Sequence, residues 1–325
     1  MNHIPFDTPF TQQFFSGYLI DHFLYKQRTL YNALQMAERR APKPRKPCRN
    51  WLVSWLLKVP SLSTASVLRG LDEIDYPAFA RTLRLEIRAT YFQSIETLFE
   101  LIFSLEPRGN VIDNRRIWYF LSTSEWKKNY HRIGAIAKGD TAFLEREITA
   151  GNKLKVPFAQ YLFYFGVTNP SMLEAVKASF SPINKFLIAF ATEFSNRDEY
   201  NAFKHALRIM PMFQNVQIGP HGFAKPTVVL DMNNSMTYMI EQKDSVSFRT
   251  NTLDTARDMR MGQVCSYLIS NIVRSRRAHF AKNPEGYLHT FTDTSFSSAS
   301  ERDMPWMNFN FTLTPGSGEP NESKV

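Results

Sequence analysis

The segment YPAFARTLRLEIRATYFQSIETLFELIFSLE, residues 76–106, gives the clearest indication of how this chain folds. Apolar residues recur in it at three- and four-residue intervals, which is the spacing that lines one face of an α-helix. Asp75 can cap the helix, Pro77 fits its first turn, and Pro107 lies just past its end. The segment therefore predicts one long helix whose apolar face packs against a hydrophobic core.

Helical spacing also covers most of the chain before residue 210. The further elements predicted there are helices over 116–138, 141–150 and 197–210, and a helix from Pro170 that Pro182 kinks or splits. Residues 213–250 alternate polar residues with β-branched and aromatic ones, and this pattern predicts two to four antiparallel strands. The expected fold class is mainly α: a helical bundle with a small antiparallel β-meander and a C-terminal long helix (α+β).

This organisation divides the chain into five predicted parts. They are an N-terminal long helix over 1–40, a basic proline-rich connector over 41–50, a helical bundle core over 51–210, a small antiparallel sheet plus a long helix over 211–283, and a mostly flexible tail over 284–325. Thr252 or Asp254 can cap the long helix of the fourth part. The tail is predicted because it is rich in serine, threonine, glycine and proline.

Composition favours an anionic partner. The formal net charge of +9 and the isoelectric point of about 9.5 create a positive field that attracts RNA, DNA and other polyanions. Cys48 and Cys265 make neither a metal pattern nor a disulfide framework. No uncharged apolar run approaches the roughly 20 residues of a membrane helix. We therefore expect a cytoplasmic protein with no membrane span, no bound metal and no cofactor.

Three arginines lie in line with the apolar face of the helix over 76–106. Arg81, Arg84 and Arg88 precede that face by one or more turns. Burying a charge costs free energy unless the charge is paired. These arginines are therefore expected either to pair with acids or to line a cleft that binds an anion. The candidate acids are Glu193, Asp198 and Glu199, and the cleft would be shared with Lys204, His205 and Arg208.

A polar stripe runs along SNRDEYNAFKHALRIMP, residues 195–211. Asn201, Lys204, His205 and Arg208 fall at helical spacing i, i+3, i+4 and i+7, next to an apolar stripe. This arrangement suits an anion-binding or RNA-cleaving site beside the core. It is equally typical of the solvent-exposed face of an amphipathic helix.

A second basic cluster, RSRRAH, occupies residues 274–279 at the end of the last predicted long helix. Arg274, Arg277 and His279 can complement the helix dipole there, or they can contact a nucleic-acid backbone. The aromatic residues of the chain are spread through apolar faces. We interpret them as core residues and not as platforms on which bases stack.

The segment YNAFKHALR, residues 200–208, is similar to bacterial helical proteins near the HEPN class. HEPN domains are four-helix bundles of toxins and phage-defence systems, and many are metal-independent ribonucleases. Their motif places an Arg a few residues before a His. Arg197 precedes His205 with seven residues between them, and Arg274 precedes His279 with four. The resemblance implies His205 as the base, with Arg208 and Arg197 as catalytic partners.

Three functions fit the sequence. The leading hypothesis is a helical protein that binds RNA, another anionic ligand or a protein partner without catalysis. The first alternative is a HEPN-like metal-independent endoribonuclease of a toxin or phage-defence system. The second alternative is a structural module that uses helix faces to form a homodimer.

Overall fold

The computed structural model describes the chain in ten segments. They are residues 7–41, 75–107, 117–150, 154–204, 209–210, 215–218, 228–232, 234–242, 245–281 and 287–313. Over these residues the protein is mainly helical and carries small antiparallel sheets, which confirms the predicted fold class. Residues 42–50 of the predicted connector, residues 51–74 of the predicted bundle core, His205 and Arg208 lie outside the described segments.

The N-terminal segment forms two helices, α1 (Asp7–Gly17) and α2 (His22–Arg40), so the prediction of one long helix is wrong. The chain is not helical at residues 18–21. The guanidinium of Arg277 donates hydrogen bonds of 2.9 to 3.1 Å to three backbone carbonyl oxygens at this break, those of Phe15, Ser16 and Tyr18. Because these bonds satisfy carbonyls that a continuing helix would otherwise use, α1 can end there.

The predicted long helix is α3 (Tyr76–Ser104). Asp75 caps it, since Oδ1 accepts a hydrogen bond of 3.1 Å from the backbone N–H of Ala78, and Pro77 lies in the first turn. Both features are those that the sequence predicts.

Residues 117–157 depart from the prediction. The segment predicted as one helix over 116–138 forms α4 (Ile117–Ser122) and α5 (Trp126–Ala137). The predicted helix over 141–150 is wrong, because β1 (Glu147–Ala150) pairs antiparallel with β2 (Leu154–Pro157) after a short 3₁₀ turn. Ile148 and Val156 oppose each other in this pair and are both buried. A β-branched pair on one face explains the strands.

Four helices follow: α6 (Phe158–Phe163), α7 (Pro170–Ala178), α8 (Phe180–Phe194) and α9 (Arg197–Lys204). The predicted split occurs at Ser179, three residues before Pro182. Pro182 lies in the first turn of α8, where backbone N–H groups have no partner within the helix. The N–H that proline lacks therefore costs the helix no hydrogen bond. The prediction of a helix through residue 210 is wrong at its end, because Ile209–Met210 is a strand, β3.

The C-terminal third combines strands with a second long helix. Its elements are β4 (Asn215–Ile218), β5 (Val228–Asp231), β6 (Ser235–Gln242), β7 (Ser245–Thr252), α10 (Thr255–Ala281), α11 (Asp293–Ser300) and β8 (Asn308–Leu313). Strands β4 and β5 form a separate pair, and the larger sheet has the antiparallel order β3-β6-β7-β8. Asp254 caps α10 by accepting a hydrogen bond from the backbone N–H of Arg257.

The prediction of a mostly flexible tail over 284–325 is wrong for residues 287–313. Strand β8 pairs with β7 from Asn251↔Asn308 to Val246↔Leu313. Thr292 and Ser295 form a reciprocal capping box at the start of α11. Polar composition alone suggested a tail, but small hydroxyl side chains here serve as helix caps.

The main core lies between the long helices. Helices α3 and α10 pack against each other, and α2 packs along α3. The core cluster contains fully buried Tyr91, Phe99, Phe190 and Leu268, together with residues from α1 to α11. A smaller cluster around Tyr238 joins α9 to β6. This arrangement brings the last turns of α10 against the junction of α1 and α2.

No helix of the described segments has both the length and the apolar content that crossing a bilayer requires.

Candidate functional site

Arg88 on α3 is the centre of a buried charge network, which we define as Arg88, Arg257, Glu193, Glu199 and Asp258. Its guanidinium donates to Glu199 Oε1 at 3.0 Å, to Glu193 Oε2 at 2.9 Å and to Asp258 Oδ1 at 2.6 Å. Arg257 binds the other oxygen of Glu193 at 2.5 Å. Helices α3, α8, α9 and α10 are therefore joined by charged hydrogen bonds at one point.

Burial and neighbouring charges have opposite effects on the pKa values of the residues in this network. Burial raises the pKa of Asp258 to about 6, although the guanidinium of Arg88 opposes that shift. Burial also tends to raise the pKa of Glu193, but Arg88 and Arg257 together hold it below its usual value. The pKa of Arg88 is raised well above its usual value, because the three carboxylates outweigh the effect of burial. Arg88 therefore carries its charge at every physiological pH.

Within the described structure, Arg84 and Arg88 of the predicted arginine stripe are paired with carboxylates. Arg88 is paired with Glu193 and Glu199, as the sequence suggested, and also with Asp258. Arg84 pairs with Glu38 on α2 at 2.6 Å. In the described structure Arg81 is half-buried and takes no part in the charge network. Carboxylates thus occupy the positions around Arg88 that an anion would need.

The polar stripe of residues 201–208 is described only in part. Asn201 lies half-buried on α9, next to Ala202, which packs into the cluster around Tyr238. The backbones of Arg197 and Lys204 belong to α9. His205, Arg208 and the side chains of Arg197 and Lys204 lie outside the described structure. Their catalytic and anion-binding roles stay predictions.

A basic cleft opens where α1 meets α2. Its volume is about 680 Å³. We define the basic cleft by the residues that line it: Ser16, Gly17, Tyr18, Leu19, Ile20, Asp21, His22, Tyr25, Lys26, Thr29, Arg274 and Arg277. Two residues of the predicted anion-binding set, Arg274 and Arg277, therefore lie at one cavity. Residues about 250 positions apart in sequence build it together.

The cations of the basic cleft are held in different ways. Arg277 is held by hydrogen bonds to the three carbonyl oxygens at the end of α1, so its guanidinium also links α10 to α1. Arg274 lies 3.6 Å from Asp21, and both side chains are partly exposed. Lys26 donates to Gln93 on α3 at 3.0 Å. Three cationic side chains against one carboxylate leave the cleft with a positive balance.

His279 does not join Arg274 in a site. The two residues are five positions apart on α10, which places them on different sides of a helix. His279 contacts Phe165, with ring centroids 4.8 Å apart, whereas Arg274 is directed to Asp21 and to the ring of Tyr287. The spacing that resembles the HEPN motif therefore does not bring this arginine and this histidine together.

Aromatic side chains beside the basic cleft were missed from the sequence. Tyr25, which lines the cleft, is 62 % exposed, and Tyr287 is 67 % exposed. The interpretation of the aromatic residues as core residues is wrong for these two, and also for the exposed Phe10, Tyr31, Trp118, Tyr119, Trp126 and Trp306. Tyr25 is followed by Lys26 and Arg28, and Tyr287 follows Gly286 in the sequence. A tyrosine next to charged residues or a glycine was the sequence feature that could have predicted this exposure.

Among the described residues, no group of three or more His, Cys, Asp or Glu side chains is placed to hold a metal ion. Comparison with protein-family models, curated proteins and solved structures found no match for this chain.

Proposed function

We propose that this protein binds RNA or a related polyanion at the basic cleft, without a reaction at that site. The observation that carries the proposal is the convergence of Lys26, Arg274 and Arg277 on one open cavity in a protein of net charge +9. Such a cavity concentrates positive potential, because its walls focus the field of the charges around it.

The arrangement supports binding of a flexible chain of negative charges more than binding of one small anion. The cations line an open cavity of about 680 Å³, which is larger than one small anion needs. Asp21 pairs with Arg274 over 3.6 Å at a partly exposed position, so the pair is weak and a phosphate can compete for the guanidinium.

The test is the affinity of the protein for a labelled uridine oligonucleotide of about 12 nucleotides, followed by fluorescence anisotropy at several salt concentrations. Lys26→Gln and Arg274→Gln should each weaken binding roughly 3- to 10-fold at low salt, because each removes a phosphate contact. Each should also reduce the slope of log affinity against log salt concentration by about one.

Lys177→Gln is the matched control, since Lys177 is an exposed lysine on α7 and does not line the cleft. It changes the net charge by the same amount as Lys26→Gln. Equal losses in Lys177→Gln and Lys26→Gln would mean that net charge alone attracts RNA, and the basic cleft would not be the site. Absence of salt-dependent binding by the unmodified protein would contradict the function itself.

A further inference from the structure

We propose that the basic cleft selects unpaired nucleotides and that one or more bases stack on the exposed rings of Tyr287 and Tyr25. This inference rests on the proposed polyanion binding and adds the class of nucleic acid. The two parts are separable, because a polyanion site needs only cations, whereas selection of single strands needs exposed flat surfaces next to those cations.

Tyr287 is placed directly beside a cation of the cleft. The guanidinium carbon of Arg274 lies 5.4 Å from the centre of the Tyr287 ring. Arg274 also lines the cleft, so one side chain joins the ring to the cavity. A phosphate bound by Arg274 would therefore leave the adjacent base close to the ring, which is exposed over 67 % of its surface.

The ring of Tyr287 belongs to an ordered stack. His289 meets it edge-on with centroids 5.0 Å apart, and His289 itself lies flat on Tyr267 at 3.8 Å with an angle of 15°. Burial lowers the pKa of His289, and the nearby Arg274 lowers it further. The imidazole is therefore neutral near pH 7 and serves as an uncharged support for the tyrosine.

The backbone beneath this stack is also held in place. Asn271 on α10 accepts from the N–H of His289 at 2.8 Å and donates to its carbonyl oxygen at 2.7 Å. Tyr164 donates to the same carbonyl oxygen at 2.9 Å. Because these bonds anchor the chain two residues after Tyr287, and His289 contacts its ring, less conformational entropy is lost when a base stacks there. An exposed ring beside an anchored backbone is what distinguishes the site from a merely basic surface.

Tyr25 supplies a second exposed ring on the wall formed by α2. It lines the cavity that Arg274 lines from α10, so one exposed ring lies at the cavity itself and the ring of Tyr287 lies beside Arg274. Aromatic rings interleaved with cations are the usual arrangement in sites for single-stranded nucleic acids. A base-paired duplex hides its base faces in its own stack and cannot use these rings.

The experiment compares four labelled ligands of equal length: a uridine oligonucleotide, the same backbone without bases, a duplex, and inorganic polyphosphate. The unmodified protein should bind the uridine strand at least about 10-fold more tightly than the abasic strand, as expected for one stacked base. Tyr287→Leu and Tyr25→Leu should remove most of that difference and leave the affinity for polyphosphate unchanged. Tyr119→Leu, at an exposed tyrosine on α4 outside the cleft, should change neither.

Equal affinity for the uridine, abasic and duplex ligands, together with retained polyphosphate binding, would overturn the inference and leave the polyanion function intact. Failure to bind any of the four ligands would overturn both. Thermal unfolding of each variant verifies that it folds. Because the two tyrosines lie in different parts of the chain, one variant still tests the inference if the other does not fold.

Discussion

Arg88 is the residue on which four helices converge. It binds three carboxylates from α8, α9 and α10, and all four side chains are 14 % exposed or less. Its guanidinium also lies 4.6 Å from the centre of the Phe92 ring. A charged centre of this kind fixes the relative positions of the helices, because each carboxylate would be costly to bury without it.

Arg88→Met should lower the free energy of unfolding by about 3–5 kcal/mol, because it leaves Glu193, Glu199 and Asp258 buried without their shared cation. Urea unfolding followed by circular dichroism measures the change. Arg84→Met is the control on the same helix: its pair with the partly exposed Glu38 should cost less than about 1 kcal/mol. Equal losses in the two variants would mean that Arg88 does not organise the network.

The arginine stripe shows what the spacing of residues in the sequence can and cannot predict. The spacing of Arg88 within an apolar face predicted that it either pairs with acids or lines an anion cleft, and Glu193 and Glu199 were among the candidate acids. Asp258 could not be found in the same way, since it lies 170 positions away on a helix whose packing against α3 is set by the whole core. Pairing follows from local burial, whereas the identity of a distant partner follows from tertiary structure.

At the scale of elements, helices α2 and α10 approach each other closely at Gly262. A Cβ atom there would overlap the amide of Gln27 and lie 2.7 Å from its Cδ. Gln27 is fully buried, and within the described structure neither atom of its amide has a hydrogen-bond partner. The absence of a side chain at residue 262 is therefore what lets these two helices pack.

Gly262→Ala should lower the free energy of unfolding by about 1–3 kcal/mol, because a buried Gln27 has little space into which it can move. Gly134→Ala on α5 is the matched control, since nothing lies within 4 Å of its added Cβ, and it should stabilise by about 0.5–1 kcal/mol. Thermal unfolding compares them. Adding Gln27→Ala should restore part of the loss caused by Gly262→Ala, and a stabilising Gly262→Ala would refute the close contact.

Most helices could be predicted because apolar spacing and proline or aspartate signals are local. The break between α1 and α2 could not, since the group that satisfies its carbonyls is Arg277, about 260 positions away. Strand β8 was missed for a similar reason. Its partner β7 precedes it by some 60 residues, and α10 lies between them.

At the scale of the whole molecule, the candidate site is a product of chain topology. Residues 16–29 and 274–277 form one cavity only because α10 returns along the N-terminal helices. The sequence identified Arg274 and Arg277 as possible nucleic-acid contacts, but it gave no means of joining them to Lys26 or Tyr25. His205 and Arg208 lie outside the described structure, and their catalytic roles stay predictions.

The most direct test of RNA binding at the basic cleft is photo-crosslinking of the protein to a single-stranded RNA that carries 4-thiouridine, with the attachment sites identified by mass spectrometry. Because crosslinks form only at short distance, we expect adducts within residues 16–29 and around residues 274–289. These adducts should be lost when unlabelled RNA competes. Adducts found reproducibly elsewhere and absent from both regions would contradict the assignment of the basic cleft as the binding site.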